Sequence, residues 1–389
     1  MKKFQIGNVI TISLGHMFHD IYTSFLAPIL PLLIQNLGIS MYMAGLLDVF
    51  RKLPSLFNPF VGIIADKICV RYFVILAPAF SAIGMSLLGL APSYTTIALL
   101  LFAVGISNTM FHVPAPVMIK QVSGYRVGKG MSYFMVGGEI SRTLGPLLIT
   151  AAISFWGLQG SWRVMPIGIL ASVFLYFKLR NVRVNDSVAK PKETHPKDTL
   201  RKLMPVFGIV LGITFFRTAM KLALTLYLPT FLTNQGNSLW IAGISLAILQ
   251  FSGAIGTFFA GSISDKIGRK QTLLIASIIN PILMWLFLIS NEFFKIPLLI
   301  LIGFFLFAFG PVLLAFVQDT DSEYPAFVNG IYMTINFGVS SIMAVLIGLG
   351  GDFLGLSITY KICLLLALGT IPFVLKMKNE KRESIIKNH

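Results

Sequence analysis

His16, His19 and Asp20 fall within five residues of one another, inside a stretch that is otherwise apolar from about residue 8 to residue 34. Asp20 stands about 18 Å along a helix from residue 8, at about 1.5 Å per residue, which places it near the midplane of a bilayer. His16 lies one turn earlier on the same helical face. A carboxylate in a poorly hydrated setting favours its protonated form, and imidazole changes charge near neutral pH. Asp20 with His16 or His19 is therefore the first candidate for reversible proton binding. The plainer alternative is a polar cluster that packs helices and never changes protonation.

Seven further charged residues lie well inside apolar segments: Asp48, Arg51, Lys52, Glu139, Arg142, Arg217 and Lys221. On insertion scales each costs about 2.5–3.5 kcal/mol at mid-membrane, so eight facing lipid would cost roughly 20–28 kcal/mol. They must face protein or water, and the expected meeting place is a wet crevice between two halves of the chain. Asp48 stands three and four residues from Arg51 and Lys52, and Glu139 three from Arg142, so both acids can pair along their own helices. Glu139 is a second proton candidate. Arg217 and Lys221 share one face with no acid in their segment; lysine snorkelling is the bland alternative for Lys221. The interior holds five positive charges against three negative ones, which favours an anionic cargo, and Arg grips phosphate or carboxylate with two parallel hydrogen bonds. Arg142, Arg217 and Lys221, with His112, Asn108, Tyr22 and Arg51, form the candidate cargo set. A lone His or Asn among them is more often a helix-to-helix hydrogen bond.

The elements that position these groups are long apolar helices. Hydrophobic residues are 56% of 389 and charged ones 12%, which makes the bilayer the expected solvent. Spanning helices need about 20 apolar residues, and twelve segments of that kind fall near 8–35, 41–65, 72–91, 95–120, 130–155, 162–180, 203–233, 239–262, 271–290, 296–318, 326–349 and 355–375. The fold class is an all-α membrane protein with twelve transmembrane helices in two six-helix pseudo-symmetric bundles. The bundles are 1–180 and 203–389, joined by a polar cytoplasmic linker at 181–202. The net charge of +16 does not imply nucleic acid, because 23 of the 31 Lys and Arg flank apolar segments on one alternating side. That side, with both termini, is expected to be cytoplasmic. Lys2 and Lys3 before an apolar run could open a signal peptide, but His16, His19 and Asp20 interrupt it, so it reads as a retained first helix. Cys69 and Cys363 imply neither a disulfide nor a metal site, and no cofactor is expected.

The segment Gly62-Ile-Ile-Ala-Asp66-Lys67-Ile returns as Gly261-Ser-Ile-Ser-Asp265-Lys266-Ile, and Gly130 and Gly138 return as Gly330 and Gly338. Long repeats filled with hydrophobic segments mark secondary transporters. The repeated Gly lets helices approach closely and the Asp sets a carboxylate at the cytoplasmic rim, where it can pair with a base or cap a helix. Gly62, Asp66, Lys67, Arg71, Gly261, Asp265, Lys266 and Arg269, with Gly138, Gly145 and Pro146, are the candidate conformational gate. The basic members alone would serve as topology anchors.

Gly-x-x-x-Asp-Lys-x-Gly-Arg-Lys at 261–270 resembles the cytoplasmic loop signature of the major facilitator superfamily, and Gly138, Gly145 and Pro146 resemble the Gly-Pro motif of its proton-coupled antiporters. The first loop copy departs from the pattern with Cys69 where the second has Gly268. His16, Asp20 and Tyr22 followed by Leu26, Pro28, Leu30 and Pro31 resemble the first helix of fosmidomycin-resistance-type exporters. Phe111-His112-x-Pro114 and Val136-Gly137-Gly138 through Leu144-Gly145-Pro146 extend that likeness, with Glu139 where an Asn is usual. The resemblance implies a proton-coupled exporter of a small anionic or zwitterionic compound, such as a phosphonate antibiotic, working by alternating access. The alternative is a symporter or anion exchanger importing a small organic anion. A membrane enzyme is not expected, since no nucleophile-base constellation or phosphate loop is present. The expected partners are membrane lipid, protons and a small-molecule substrate, with the protein a monomer in a bacterial inner membrane.

Overall fold

A computed structural model describes residues 4–58, 71–124, 127–182, 196–320 and 325–377. Over these the chain is helical, with no strand. The first half runs through α1 (Ile6–Thr23), α2 (Leu26–Leu37), α3 (Met41–Lys52), α4 (Arg71–Ser86), α5 (Tyr94–His112), α6 (Pro114–Ser123), α7 (Val127–Gly160) and α8 (Met165–Leu179). The second runs through α9 (Pro196–Leu226), α10 (Leu228–Asn234), α11 (Leu239–Ile267), α12 (Arg269–Ile289), α13 (Glu292–Gln318), α14 (Pro325–Leu354), α15 (Leu356–Leu368) and α16 (Thr370–Leu375).

Ten stretches among the described residues are long and apolar enough to cross a membrane. One of them, Gly130–Leu179, is 50 residues long and covers two of the expected segments; it turns at Gly157, whose φ of 70° suits a residue without a Cβ. The second expected segment, 41–65, opens as α3, and its remainder lies outside the described residues. The fold is thus the twelve-helix, all-α membrane architecture. Its exterior is apolar: Phe155, Phe258, Phe293 and Phe353 are each more than 70% exposed, as lipid requires and water would not tolerate.

Prolines decide where the helices break. Pro28 has no N–H for the Ser24 carbonyl, and the first membrane stretch is interrupted between Thr23 and Leu26. Pro114 likewise separates α5 from α6, and Pro229 stands just after the break between α9 and α10. Each interruption falls beside a charged or titratable residue singled out above: Asp20, His112 and Lys221 respectively.

Two compact units account for the chain. The first comprises Met1–Lys192 with Leu224–Phe251 and Ala344–Phe353; the second comprises Glu193–Ala223, Ser252–Met343 and Leu354–His389. In the first, a core of Val9, Ile12, Val74, Phe111, Phe134 and Leu175 surrounds α1. Lipid supplies little hydrophobic drive between helices, so close packing holds them. Glycine makes this possible where α7 lies along α1. A Cβ at Gly137 would strike the Ser13 carbonyl, and one at Gly145 would lie 2.7 Å from the Ser24 Cβ.

The end of the same unit at α2 and α3 is clasped by polar contacts. The Ser40 hydroxyl accepts from Met43 N at 3.1 Å, while the Asp352 carboxylate accepts from Met41 N at 2.6 Å and Tyr42 N at 2.8 Å. Helix N-termini leave such N–H groups without partners and favour negative charge. The buried Tyr227 hydroxyl lies 2.8 Å from the Ala344 carbonyl and 3.2 Å from that of Met41. Gly45 and Gly348 lack the Cβ that would collide here. The second unit has its own core, including Phe207, Val210, Ile213, Leu273, Phe309 and Val312.

Candidate functional site

The first unit gathers three histidines around one carboxylate. Asp20 is 6% exposed; its Oδ2 lies 3.2 Å from His16 Nε2, and its Oδ1 lies 3.1 Å from His112 Nε2 and 3.9 Å from His19 Nε2. The helix break holds the aspartate in place. Its backbone carbonyl takes hydrogen bonds from the Ser24 hydroxyl at 2.8 Å, the Thr23 hydroxyl at 3.1 Å and Ser24 N at 3.2 Å.

Hydrogen counting fixes two of the three rings. His16 Nδ1 lies 2.7 Å from the Phe134 carbonyl, which only accepts, so Nδ1 carries a proton. His19 is settled by a relay. Ser107 donates to the Ala77 carbonyl at 3.0 Å, so it can only accept from Ser81 at 3.1 Å; Ser81, its hydrogen spent, must accept from His19 Nδ1 at 3.1 Å. The neutral His16 ring therefore turns an Nε2 lone pair toward Asp20. A lone pair facing a carboxylate oxygen at 3.2 Å is repulsive unless a proton lies between them. The His16–Asp20 pair accordingly holds a proton, as imidazolium with carboxylate or as imidazole with carboxylic acid.

Packing explains the setting of His16. Its ring stacks on Phe134 at 4.0 Å between centroids, and Gly138 presses its other side. A Cβ at Gly138 would lie 2.5 Å from His16 Cε1 and 2.8 Å from Nε2. Asn108 Oδ1 lies 3.4 Å from His19 Nε2; with the His19 proton on Nδ1, this contact is a hydrogen bond only with the amide turned over so that its NH2 donates. Tyr22 has no exposure; its hydroxyl donates to the Val164 carbonyl at 2.6 Å and accepts from Gly168 N at 2.9 Å, a tie between α1 and the start of α8. The Ser81–Ser107 relay was missed in the sequence, where the only signal was serine within apolar segments.

The other interior charges singled out in this unit are paired along their own helices. Asp48 meets Arg51 at 2.7 Å and Lys52 at 2.5 Å, and Arg51 also reaches the Thr23 carbonyl at 3.3 Å. Glu139 meets Arg142 at 2.7 Å, leaving Glu139 Oε2 buried without a hydrogen bond, while the Arg142 side chain is 43% exposed. Pro146, one turn past Arg142, offers no N–H to the Arg142 carbonyl.

The second unit is different. Arg217 is 5% exposed, its guanidinium lies 5.3 Å over Phe309, and no carboxylate among the described residues is within ion-pair reach. Its Nε has no hydrogen-bond partner, nor has Asn280 Oδ1, and both residues border a small cavity with Ser277, Phe309 and Thr370. Lys221 Nζ lies 5.5 Å over Phe307. Aromatic faces attract cations without neutralising them.

Of the candidate gate, Gly62, Asp66 and Lys67 lie outside the described residues. Arg71 donates to the Val182 carbonyl at 3.3 Å. In the second copy Arg269 binds Asp265 and, at 3.1 Å, Asp319, while Lys270 donates to the Leu375 carbonyl at 2.7 Å. Gly268 has a φ of 98°, and Cys69, its counterpart in the first copy, lies outside the described residues. The close approach expected at Gly261 is absent: a Cβ there would meet no described atom within 4 Å. No hydrogen bond or ion pair of the Lys266 side chain is seen among the described residues.

Twelve apolar helices that enclose ionic groups define a membrane transporter rather than an enzyme. The chain belongs to the Major Facilitator Superfamily, whose model matches residues 12–375. It is 28% identical over 375 residues to the fosmidomycin resistance protein of Escherichia coli K12, covering 94% of this chain and 91% of that one. It is 24% identical over 286 residues to the multidrug resistance protein MdtG of Enterobacter lignolyticus, covering 70% and 67%. Among solved structures, the inward-open xylose transporter XylE of E. coli matches with a TM-score of 0.78 at 13% identity over 98% of each chain. A bacterial homologue of the lysosomal transporter Spinster matches with a TM-score of 0.76 at 16% identity, covering 96% of this chain and 95% of that one.

Proposed function

We propose that this chain is a proton-coupled exporter of small anionic or zwitterionic compounds, phosphonate antibiotics among them, working by alternating access in a bacterial inner membrane with both termini cytoplasmic. The observation that carries the reading is the Asp20 cluster, in which His16 Nε2 and His112 Nε2 lie 3.2 and 3.1 Å from the carboxylate and hydrogen counting calls for a proton between His16 and Asp20. Cargo and proton use different groups. The proton loads the Asp20 cluster, with Glu139 as a second carrier, and the anionic part of the cargo is held by Arg142, Arg217 and Lys221, from which a charge-assisted grip is available. Asp265 and Arg269 act as a cytoplasmic latch. The relatives named for fosmidomycin and multidrug resistance support the outward direction and the cargo class.

The test compares cells with and without the protein for susceptibility to phosphonate antibiotics, with and without a protonophore. The expected result is protection that disappears when the proton gradient is dissipated. Equal susceptibility of both strains across phosphonates and other anionic drugs, or protection indifferent to the protonophore, would overturn the reading.

A further inference from the structure

We infer that His16, Asp20 and His112 form a binding site for a divalent first-row transition ion of the zinc class. The ring and carboxylate atoms these residues offer all lie within 4.8 Å of one another. Around Zn²⁺, ligand atoms at about 2.0–2.2 Å in a tetrahedron stand about 3.3–3.5 Å apart. His16 Nε2 lies 3.2 Å from Asp20 Oδ2 and His112 Nε2 lies 3.1 Å from Asp20 Oδ1, each close to that spacing, with one carboxylate oxygen facing each ring. The ion needs only a small outward movement of the three side chains to enter among them.

Three features separate this trio from an ordinary polar cluster. The first is the direction of the lone pairs. His16 is held as the Nδ1–H tautomer by the Phe134 carbonyl at 2.7 Å, and a backbone carbonyl on the far nitrogen is the usual support of a metal-binding imidazole. Nε2 is thereby offered to the ion. The second is donor chemistry: two imidazoles and one carboxylate suit zinc and its neighbours, and are a poor set for magnesium or calcium, which prefer all-oxygen cages. The third is access. The His112 side chain is 33% exposed while those of His16 and Asp20 are nearly enclosed, so the site has one open side. Three protein ligands leave a fourth position, within reach of His19 or water, which makes an exchangeable site rather than a closed structural one.

The sequence reading expected no metal because it weighed cysteines and judged the histidines as proton carriers. Local spacing brings His16 and Asp20 together, but His112 joins them from 92 residues away. The site assignment does not depend on the transport reading, since binding is measured without flux.

The experiment uses the full chain, purified in detergent, stripped of metal and freed of any affinity tag. Zn²⁺ is titrated by calorimetry, and Co²⁺ by the appearance of visible absorption bands of a low-symmetry site. The expected result is one ion per chain, with affinity reduced at least about tenfold in His112→Gln and in Asp20→Asn, the scale seen even for supporting residues of metal sites. A variant lacking the two other histidines of the chain, His195 and His389, should bind as the parent does. Should Asp20→Asn fail to elute as a monodisperse species, His112→Gln, on the open side, decides alone. Absence of stoichiometric binding, binding unchanged in His112→Gln, or binding lost with His195 and His389 would overturn the inference.

Discussion

Asp20 stands eight residues before Pro28 and Lys221 eight before Pro229; one turn earlier on each helix stands a second ionisable side chain, His16 or Arg217. Each proline lies at a helix break. The two arms are built alike and charged oppositely. Around Asp20 the imidazoles of His16, His19 and His112 converge, whereas Arg217 and Lys221 lie over the faces of Phe309 and Phe307. A proton needs partners of matched geometry, whereas an aromatic face attracts a cation without itself carrying a counter-charge. The repeat thus carries His16 and Asp20 in one arm where the other carries Arg217 and Lys221.

The comparison is broken most directly at Asp20. Asp20→Asn should reduce pH-driven export in proteoliposomes to the leak of empty vesicles while the protein still inserts; normal proton-driven flux would erase the contrast between the arms. Arg217→Met is next. Replacing a buried unpaired guanidinium by an apolar side chain should leave thermal stability unchanged or raise it by about 1–4 kcal/mol, while uptake of anionic cargo into inverted vesicles falls. A loss of stability in that variant would mean the cation already has a partner.

A third substitution separates the repeats by shape rather than charge. Gly138→Ala places a methyl against the His16 ring and should cost about 1–3 kcal/mol by overpacking as well as slowing pH-driven export. Gly338→Ala, at the matching position, meets no described atom within 4 Å and should change neither melting temperature nor flux. The smallest effect is expected at the clasp. Asp352→Ala removes two hydrogen bonds from the start of α3 and should cost about 1 kcal/mol, the usual worth of a helix cap, in thermal unfolding.

The helices were legible because hydropathy is a property of each segment alone, but the breaks near Pro28, Pro114 and Pro229 were not, since 8–35, 95–120 and 203–233 each read as one apolar segment. His16 and Asp20 were legible as a pair because four residues make one turn. What lay beyond reach came from contacts across distance in sequence: His112 on Asp20, the Phe134 carbonyl on His16, and the Ser107–Ser81 relay on His19. At Gly261 no neighbour is seen among the described residues, since a repeated glycine states that bulk is absent and not what comes near. Gly138 and Gly338 make the point together. They align in the repeat, yet only Gly138 has an imidazole against it.

The clasp at α3 has a kinetic corollary. Asp352 lies at the surface, so water replaces each hydrogen bond it gives up and its release leaves nothing stranded. Tyr227 is fully enclosed, and withdrawing its hydroxyl leaves its one hydrogen, 2.8 Å (O···O) from the Ala344 carbonyl, without that acceptor where solvent is slow to enter. The side chain that governs how often this end of the unit comes apart is thus an uncharged phenol, and its opening frequency should be indifferent to ionic strength.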